Sequence, residues 1–245
     1  MRIGGLYLAD PDFVKVPVKG LLDTGYLRER AALIGERSMG KAAAGEPPYR
    51  ETRDWGFAEA VERGTSHISV VDGEGNAVSM TTTIEDGFGS RVMVRGFLLN
   101  NELTDFAFTP IENGKPVANR VEPGKRPRST MAPMIVFHED GTLLAVVGSP
   151  GGSAIANFVA KTLVGLLDWN MDPQAAVDLA NFGSRNGPTE LEKGTEAEAW
   201  AAALGARGHK VKLMEMTSGT QAILVGRNSL SGGADTRREG VAIGD

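Results

Sequence analysis

Gly64-Thr65 heads a run that alternates polar and apolar residues, Ser66-His67-Ile68-Ser69-Val70-Val71-Asp72. Alternation at period two with β-branched enrichment reads as a half-buried strand. A second such run, Ala77–Thr83, follows across Gly73-Glu74-Gly75-Asn76, which has the composition of a hairpin turn. Two strands joined this closely pair antiparallel, so their far ends, Thr65 and Thr83, return toward each other. The glycine tolerates a strained backbone, which lets the Thr65 hydroxyl reach the preceding carbonyl carbon. Once that bond is cut, Thr65 becomes an amino terminus whose amine serves as base for its own hydroxyl, a known form of activated nucleophile. The bland readings stay open at this point: Gly-Thr is an ordinary strand entry, and threonine runs favour strands in any case.

Composition bounds the rest. The chain has 245 residues, 41% hydrophobic and 23% charged, with a formal net charge of −5. That is the balance of a soluble globular domain large enough for a sizeable core. No Lys/Arg run or basic stripe marks a nucleic-acid partner, and no apolar run is long enough to span a bilayer. There is no cysteine, hence neither disulfides nor thiolate chemistry. The three histidines, His67, His138 and His209, lack ligand spacing, so neither a metal nor another cofactor is expected; His138 and His209 sit in surface-like turns. The first residues lack a signal-peptide pattern, and Leu6–Val18 reads as packed interior segments without a preceding partner.

Along the chain, Asp10–Val18 is extended and proline-punctuated, and Asp23-Thr24-Gly25 leads into a helix over Tyr26–Glu36. Residues 38–64 read as a long exposed linker, with Trp55 and Phe57 out of keeping. Phe97-Leu98-Leu99 is a short strand; Met134–Phe137 and Leu143–Val147 form a second hairpin. A helix is expected over Ala154–Trp169, another from the Asp172-Pro173 cap to Ala180, and a third behind the Thr195-Glu196-Ala197-Glu198 capping box, ending near Gly205–Gly208. Val211–Met214 and Gln221–Val225 are late strands, and Gly232–Arg238 reads as loop. Hairpins grouped apart from helices indicate α+β layers.

Three further stretches have chemistry within reach. Glu102 and Asp105, three apart in a polar loop, suit an ammonium group through charge-assisted hydrogen bonds, or are simply solvated. Ser129 and Thr130 lie between Pro127 and Pro133, as a presented pair of hydroxyls or an ordinary strand entry. Gly148-Ser149-Pro150-Gly151-Gly152-Ser153 runs from a strand to a helix, where backbone N–H groups bind an anion or a developing oxyanion; a tight turn is the plain alternative. The Gly-Lys-Ser/Thr ending of a phosphate-binding loop is missing.

In this order, Asp10-Pro11-Asp12-Phe13, Thr65-Ser66-His67, Ser69-Val70-Val71-Asp72, Gly75-Asn76-Ala77-Val78, Phe88-Gly89-Ser90, Leu98-Leu99-Asn100-Asn101-Glu102-Leu103-Thr104-Asp105-Phe106, Lys125-Arg126-Pro127, Ser129-Thr130-Met131 and Gly148-Ser149-Pro150-Gly151-Gly152 resemble the γ-glutamyltransferase (glutathione hydrolase) family of N-terminal nucleophile hydrolases. The resemblance implies an α+β, four-layer αββα fold. It makes residues 1–64 the end of the large-subunit segment and 65–245 the small catalytic subunit, most of the large subunit lying outside this sequence. It implies self-cleavage between Gly64 and Thr65, with Thr65 as nucleophile, Thr83 as its hydrogen-bonding partner, and Gly151 and Gly152 as the oxyanion hole. Glu102 and Asp105 then hold the donor's α-amino group, and Ser129 and Thr130 stand near its α-carboxylate. Glu85 occupies the place of an asparagine that contacts the donor in many members, and nothing in this sequence matches the family's carboxylate-binding arginine. The implied partners are glutathione or another γ-glutamyl donor, water or an amino-acid or peptide acceptor, and the large-subunit segment. The implied location is periplasmic or secreted, and no metal or cofactor is implied. A glutaryl or cephalosporin acylase on the same scaffold is the rival reading, and a catalytically silent piece a third.

Overall fold

The first hairpin is built as its alternation requires. In the computed structural model, which describes residues 2–51, 55–57 and 64–244, β1 (Thr65–Val71) pairs antiparallel with β2 (Ala77–Thr83), from Thr65 opposite Thr83 to Val71 opposite Ala77. Asp72 closes the turn by accepting hydrogen bonds from the N–H groups of Glu74 and Asn76 and from Asn76 Nδ2. The Asn76 side chain and backbone hold its carboxyl below the ordinary aspartate range. Two two-stranded ribbons follow, β3 (Met93–Val94) with β4 (Phe97–Leu98) and β5 (Ile111–Glu112) with β6 (Lys115–Pro116). Between them Glu102–Asp105 forms one 3₁₀ turn.

The main sheet is antiparallel: β7 (Met134–Phe137) pairs with β8 (Leu143–Gly148), β8 with Gln221–Val225, and that strand with Leu230–Ala234. One face carries the β1–β2 hairpin. The other is covered by two helices, α4 (Ile155–Leu167) and α5 (Pro173–Asp178), numbered after α1 (Arg2–Tyr7), α2 (Val18–Leu21) and α3 (Thr24–Ala31) near the amino terminus. Ile155, Val159 and Leu166 recur at helical spacing and pack with Ala145, Val147, Ala176, Val177 and Ala222 in the principal core. Full burial of such a side chain contributes about 1.5–3 kcal/mol. A smaller sheet, Phe182–Gly183 (β9), Thr189–Glu192 (β10) and Val211–Met214 (β11), has β10 and β11 parallel; the 3₁₀ turn Glu196–Trp200 and α6 (Ala201–Ala206) connect them.

Several boundaries differ from the expectation. The first long helix stops at Ala31, not Glu36, because Leu33 and Ile34 continue as 3₁₀-type turns and face solvent. The second stops at Leu167 rather than Trp169; Asn170 takes a left-handed backbone, and Trp169 and Met171 donate back to Val164 and Gly165. The third ends at Asp178 because the Lys161 ammonium takes the Val177 and Leu179 carbonyls. Gly232-Gly233-Ala234, read as loop, belongs to the last strand (β13), next to β12 (Gln221–Val225). Glycines have no side chains to alternate, so the pairing partner alone specifies that strand.

The described part of residues 38–64 is not a solvated linker. Ala44, Pro47 and Trp55 are buried, and the Arg120 guanidinium lies 5.9 Å from the Trp55 ring centre. Gly56 N donates to Pro116 O, and Ala42 exchanges two hydrogen bonds with the Asn186 side chain. Asp10 receives Arg126 N, Nε and Nη2, which ties the amino-terminal segment to the loop ahead of Ser129. That guanidinium holds the Asp10 carboxyl far below its usual range.

Candidate active site

Strand pairing and a close backbone approach create the site. Thr65 Oγ1 donates to Thr83 Oγ1 at 3.2 Å. Thr83 Oγ1 in turn donates to Gly64 O at 3.2 Å and accepts from Glu85 N at 2.9 Å. One hydroxyl thus touches both the Thr65 hydroxyl and the carbonyl of the preceding residue. Gly64 has φ +85°, and a Cβ there would lie 2.6 Å from Glu85 O, so only glycine fits. Arg238 Nη1 donates to Thr65 O at 3.3 Å.

The Gly148–Ser153 turn leads from β8 to α4. Gly151 and Gly152 have φ of +139° and +55°. Thr130 Oγ1 donates to Gly152 O at 2.9 Å, which brings one of the two candidate hydroxyls onto the turn. Ser129 Oγ accepts from Met131 N within its own loop. Gly64, Gly151 and Gly152 line one cavity of about 420 Å³, together with Phe158, Arg185 and Glu190.

Glu85 is buried, carries φ +73°, and accepts from Asn101 Nδ2 at 2.5 Å. Asn101 Oδ1 accepts from Asp86 N, so this amide ties Thr83 and Glu85 to the 3₁₀ turn bearing Glu102 and Asp105. Glu102 Oε1 and Asp105 Oδ1 are both shut off from solvent, and Asn119 Nδ2 donates to Asp105 O. Among the described residues, no group of three His, Asp or Glu side chains has the arrangement of a metal site.

Two features escaped sequence reasoning. His67 is buried between the hairpin and the main sheet, with Nδ1 2.8 Å from Thr81 Oγ1 and Nε2 3.0 Å from Ser69 Oγ. Burial pushes its pKa down to about 4, so the ring is neutral. The only signal was its phase: His67 shares a strand face with Thr65. The second is a charged cluster under the helices. Lys161 Nζ donates to Val177 O, Leu179 O and Asn181 Oδ1, and burial lowers its pKa to about 8, helped by Arg237. Arg237 clasps Glu192 and Asp235. Burial pushes the Asp235 carboxyl up, but hydrogen bonds from Ser218 and Arg237 outweigh it and hold the group below its ordinary value. His138 is exposed, whereas His209 is half-buried against Thr189 Oγ1.

A helix layer, a sheet and a second β layer headed by Gly-Thr define the αββα N-terminal nucleophile hydrolase fold, of which the described residues build three layers. Residues 3–245 match the family model described as Gamma-glutamyltranspeptidase, and the chain belongs to that family. It is 39% identical to the glutathione hydrolase proenzyme of Bacillus subtilis, over 97% of this chain and 42% of that protein. It also resembles the solved acivicin-inhibited gamma-glutamyltranspeptidase (TM-score 0.64, 35% identity, 71% of this chain and 98% of that one). The cephalosporin acylase of Bacillus halodurans is likewise similar (TM-score 0.79, 26% identity, 96% and 41%). The chain therefore spans about two-fifths of the curated relative's length. No described helix is long and apolar enough to cross a membrane.

Proposed function

We propose that this chain carries the catalytic half of an enzyme that transfers γ-glutamyl groups from glutathione or similar amides to water or an amino-acid acceptor. The observation that carries the reading is the double engagement of Thr83 Oγ1, with the Thr65 hydroxyl on one side and Gly64 O on the other. Maturation comes first. Thr65 Oγ attacks the Gly64 carbonyl carbon, the chain shifts from N to O, and water hydrolyses the ester, leaving Thr65 with a free amine. The solved chain matched over 98% of its own length covers 71% of this one, which fits a chain division near Thr65.

Turnover repeats the same chemistry on substrate. The Thr65 amine, with a reference pKa of about 7.7–8.0, takes the hydroxyl proton near neutrality. Thr65 Oγ attacks the γ-carbonyl, N–H groups of Gly151 and Gly152 receive the oxyanion, and the leaving amine collects the proton. Glu102 and Asp105 hold the donor ammonium, Ser129 and Thr130 face its carboxylate, and water or an acceptor amine resolves the acyl-enzyme. A large-subunit segment supplies the fourth layer. The outward face of the hairpin, where Ile68, Val70, Val78 and Met80 are exposed, supports that partner.

The test is intact mass and amino-terminal sequencing of the full-length protein. Wild type yields a fragment beginning Thr65-Ser66-His67, Thr65→Ala stays whole, and Thr65→Ser cuts. Cleavage and turnover by Thr65→Ala would remove Thr65 as nucleophile. The buried Glu85 and the acylase likeness favour one second reading, a glutaryl or cephalosporin acylase. Relative turnover of γ-glutamyl and glutaryl p-nitroanilides decides between them.

A further inference from the structure

The direction of an oxyanion donor is set by the carbonyl behind it. A peptide unit is planar and trans, so its C=O and N–H leave from opposite edges. Whatever holds Pro150 O therefore aims the Gly151 N–H the other way, and whatever holds Gly151 O aims the Gly152 N–H. Gly151 O is held within the turn by Ala154 N at 3.1 Å. Pro150 O is held by a side chain, Ser149 Oγ, at 2.7 Å.

A serine hydroxyl has three staggered positions and keeps one only if something else holds it. Thr220 Oγ1 does so, donating to Ser149 Oγ at 3.0 Å from the residue before β12. Thr220 N donates to Asp235 Oδ2 at 3.2 Å, and the same oxygen accepts from Ser218 Oγ at 2.5 Å. Arg237 fixes the other oxygen of Asp235 through its backbone N–H and Nη1, both at 3.0 Å. Ser149, Ser218 and Thr220 have no exposed surface, and Asp235 is 2% exposed. Three chain segments remote in sequence thus converge on one carbonyl of the oxyanion turn. In a site this dry, no water replaces a deleted partner without cost.

We propose that Ser149, oriented by Thr220 and behind it by Asp235, is a positioning residue that aims the Gly151 N–H at the reacting carbonyl oxygen. The proposal rests on the acyl-transfer reading of Gly151 and Gly152 given above. Ser149 touches no substrate; it acts through the Pro150–Gly151 peptide unit. Deleting an oxyanion donor outright typically lowers kcat by about 10²–10³-fold, and a donor left free to tilt loses part of that.

The experiment uses the full-length protein with Thr220→Val, Thr220→Ser and Ser149→Ala. Thr220→Val is expected to lower kcat for γ-glutamyl p-nitroanilide by about tenfold, with KM within about twofold of wild type, and Thr220→Ser to restore most of the loss. A second readout needs no substrate: hydrogen exchange at Gly151 N, the amide of the peptide unit whose carbonyl Ser149 holds, changes in Thr220→Val while that of α4 is unchanged. A wild type that ignores γ-glutamyl amides overturns the proposed function, and the exchange measurement still decides the positioning role. The role is overturned if Thr220→Val leaves both kcat and local exchange at wild-type values. It is equally overturned if exchange accelerates throughout the domain, which marks a purely structural contribution, or if Thr220→Ser behaves like Thr220→Val. Should Thr220→Val not fold, Ser149→Ala, one oxygen smaller, carries the same readouts.

Discussion

Replacing His67 with glutamine should flatten the acid side of the protein's stability curve. The ring lies buried between the hairpin and the main sheet, its two nitrogens against the hydroxyls of Thr81 and Ser69. Burial lowers its pKa from 6.5 to about 4. An unfolded chain takes up the proton near pH 6.5, while the folded protein refuses it until about pH 4. Between those values the unfolded state binds more protons, so stability falls as pH falls and is fully present above the unfolded pKa. At about 1.36 kcal/mol per pKa unit, the full shift is worth roughly 3 kcal/mol by pH 4. The comparison of the two proteins isolates the histidine, because carboxylates held low, such as Asp10 by Arg126 and Asp72 by Asn76, contribute equally to both. Urea unfolding of wild type and His67→Gln at pH 7.5, 6.0, 5.0 and 4.5 measures the difference, ~3 kcal/mol being the ceiling on the histidine contribution. Equal slopes for the two proteins between pH 6.5 and 4.5 would refute the argument, because a histidine that charges freely when folded contributes no such slope.

Thr83→Val keeps the shape of the residue and removes the hydroxyl that joins Thr65 to Gly64 O; self-cleavage and kcat should each fall by roughly 10²-fold, read by single-turnover kinetics. Gly148→Ala would place a Cβ 2.0 Å from His67 Cε1, so the hairpin must move and stability should fall by about 1–3 kcal/mol in urea unfolding; an unchanged midpoint would mean the ring is seated elsewhere. Aspartates at Val70 and Met80 should raise the solubility of residues 1–245 expressed alone and block maturation of the full-length protein, as seen by light scattering and gel analysis; undisturbed maturation would show that this face receives no partner layer. On the proposed function, residues 1–245 alone should turn over γ-glutamyl anilide feebly, because the exposed hairpin face then lacks its partner layer, and full activity would contradict the two-part site.

Short-range physics is legible in the sequence. Period-two alternation on either side of Gly73–Asn76 specified the hairpin and its register, and so the meeting of Thr65 with Thr83. Asp172 caps its helix as expected, accepting from Ala175 N, and Gly64 takes the positive φ that a glycine at the strand entry permits. In each case the informative neighbours lie within a turn or a hairpin. Tertiary structure decided the rest. Alternation says which residues share a face but not which face turns inward, and here Thr65, His67 and Ser69 go in while Ile68 and Val70 face out. Residues 38–51 and 55–57 look like linker because their burial comes from distant partners. Ser149 and Thr220 are 71 positions apart, and Asp10 and Arg126 are 116 apart. Such contacts leave no local pattern: a lone serine, threonine or aspartate reads as solvated until the chain returns to bury it, and only then must its hydrogen bonds be met inside the protein.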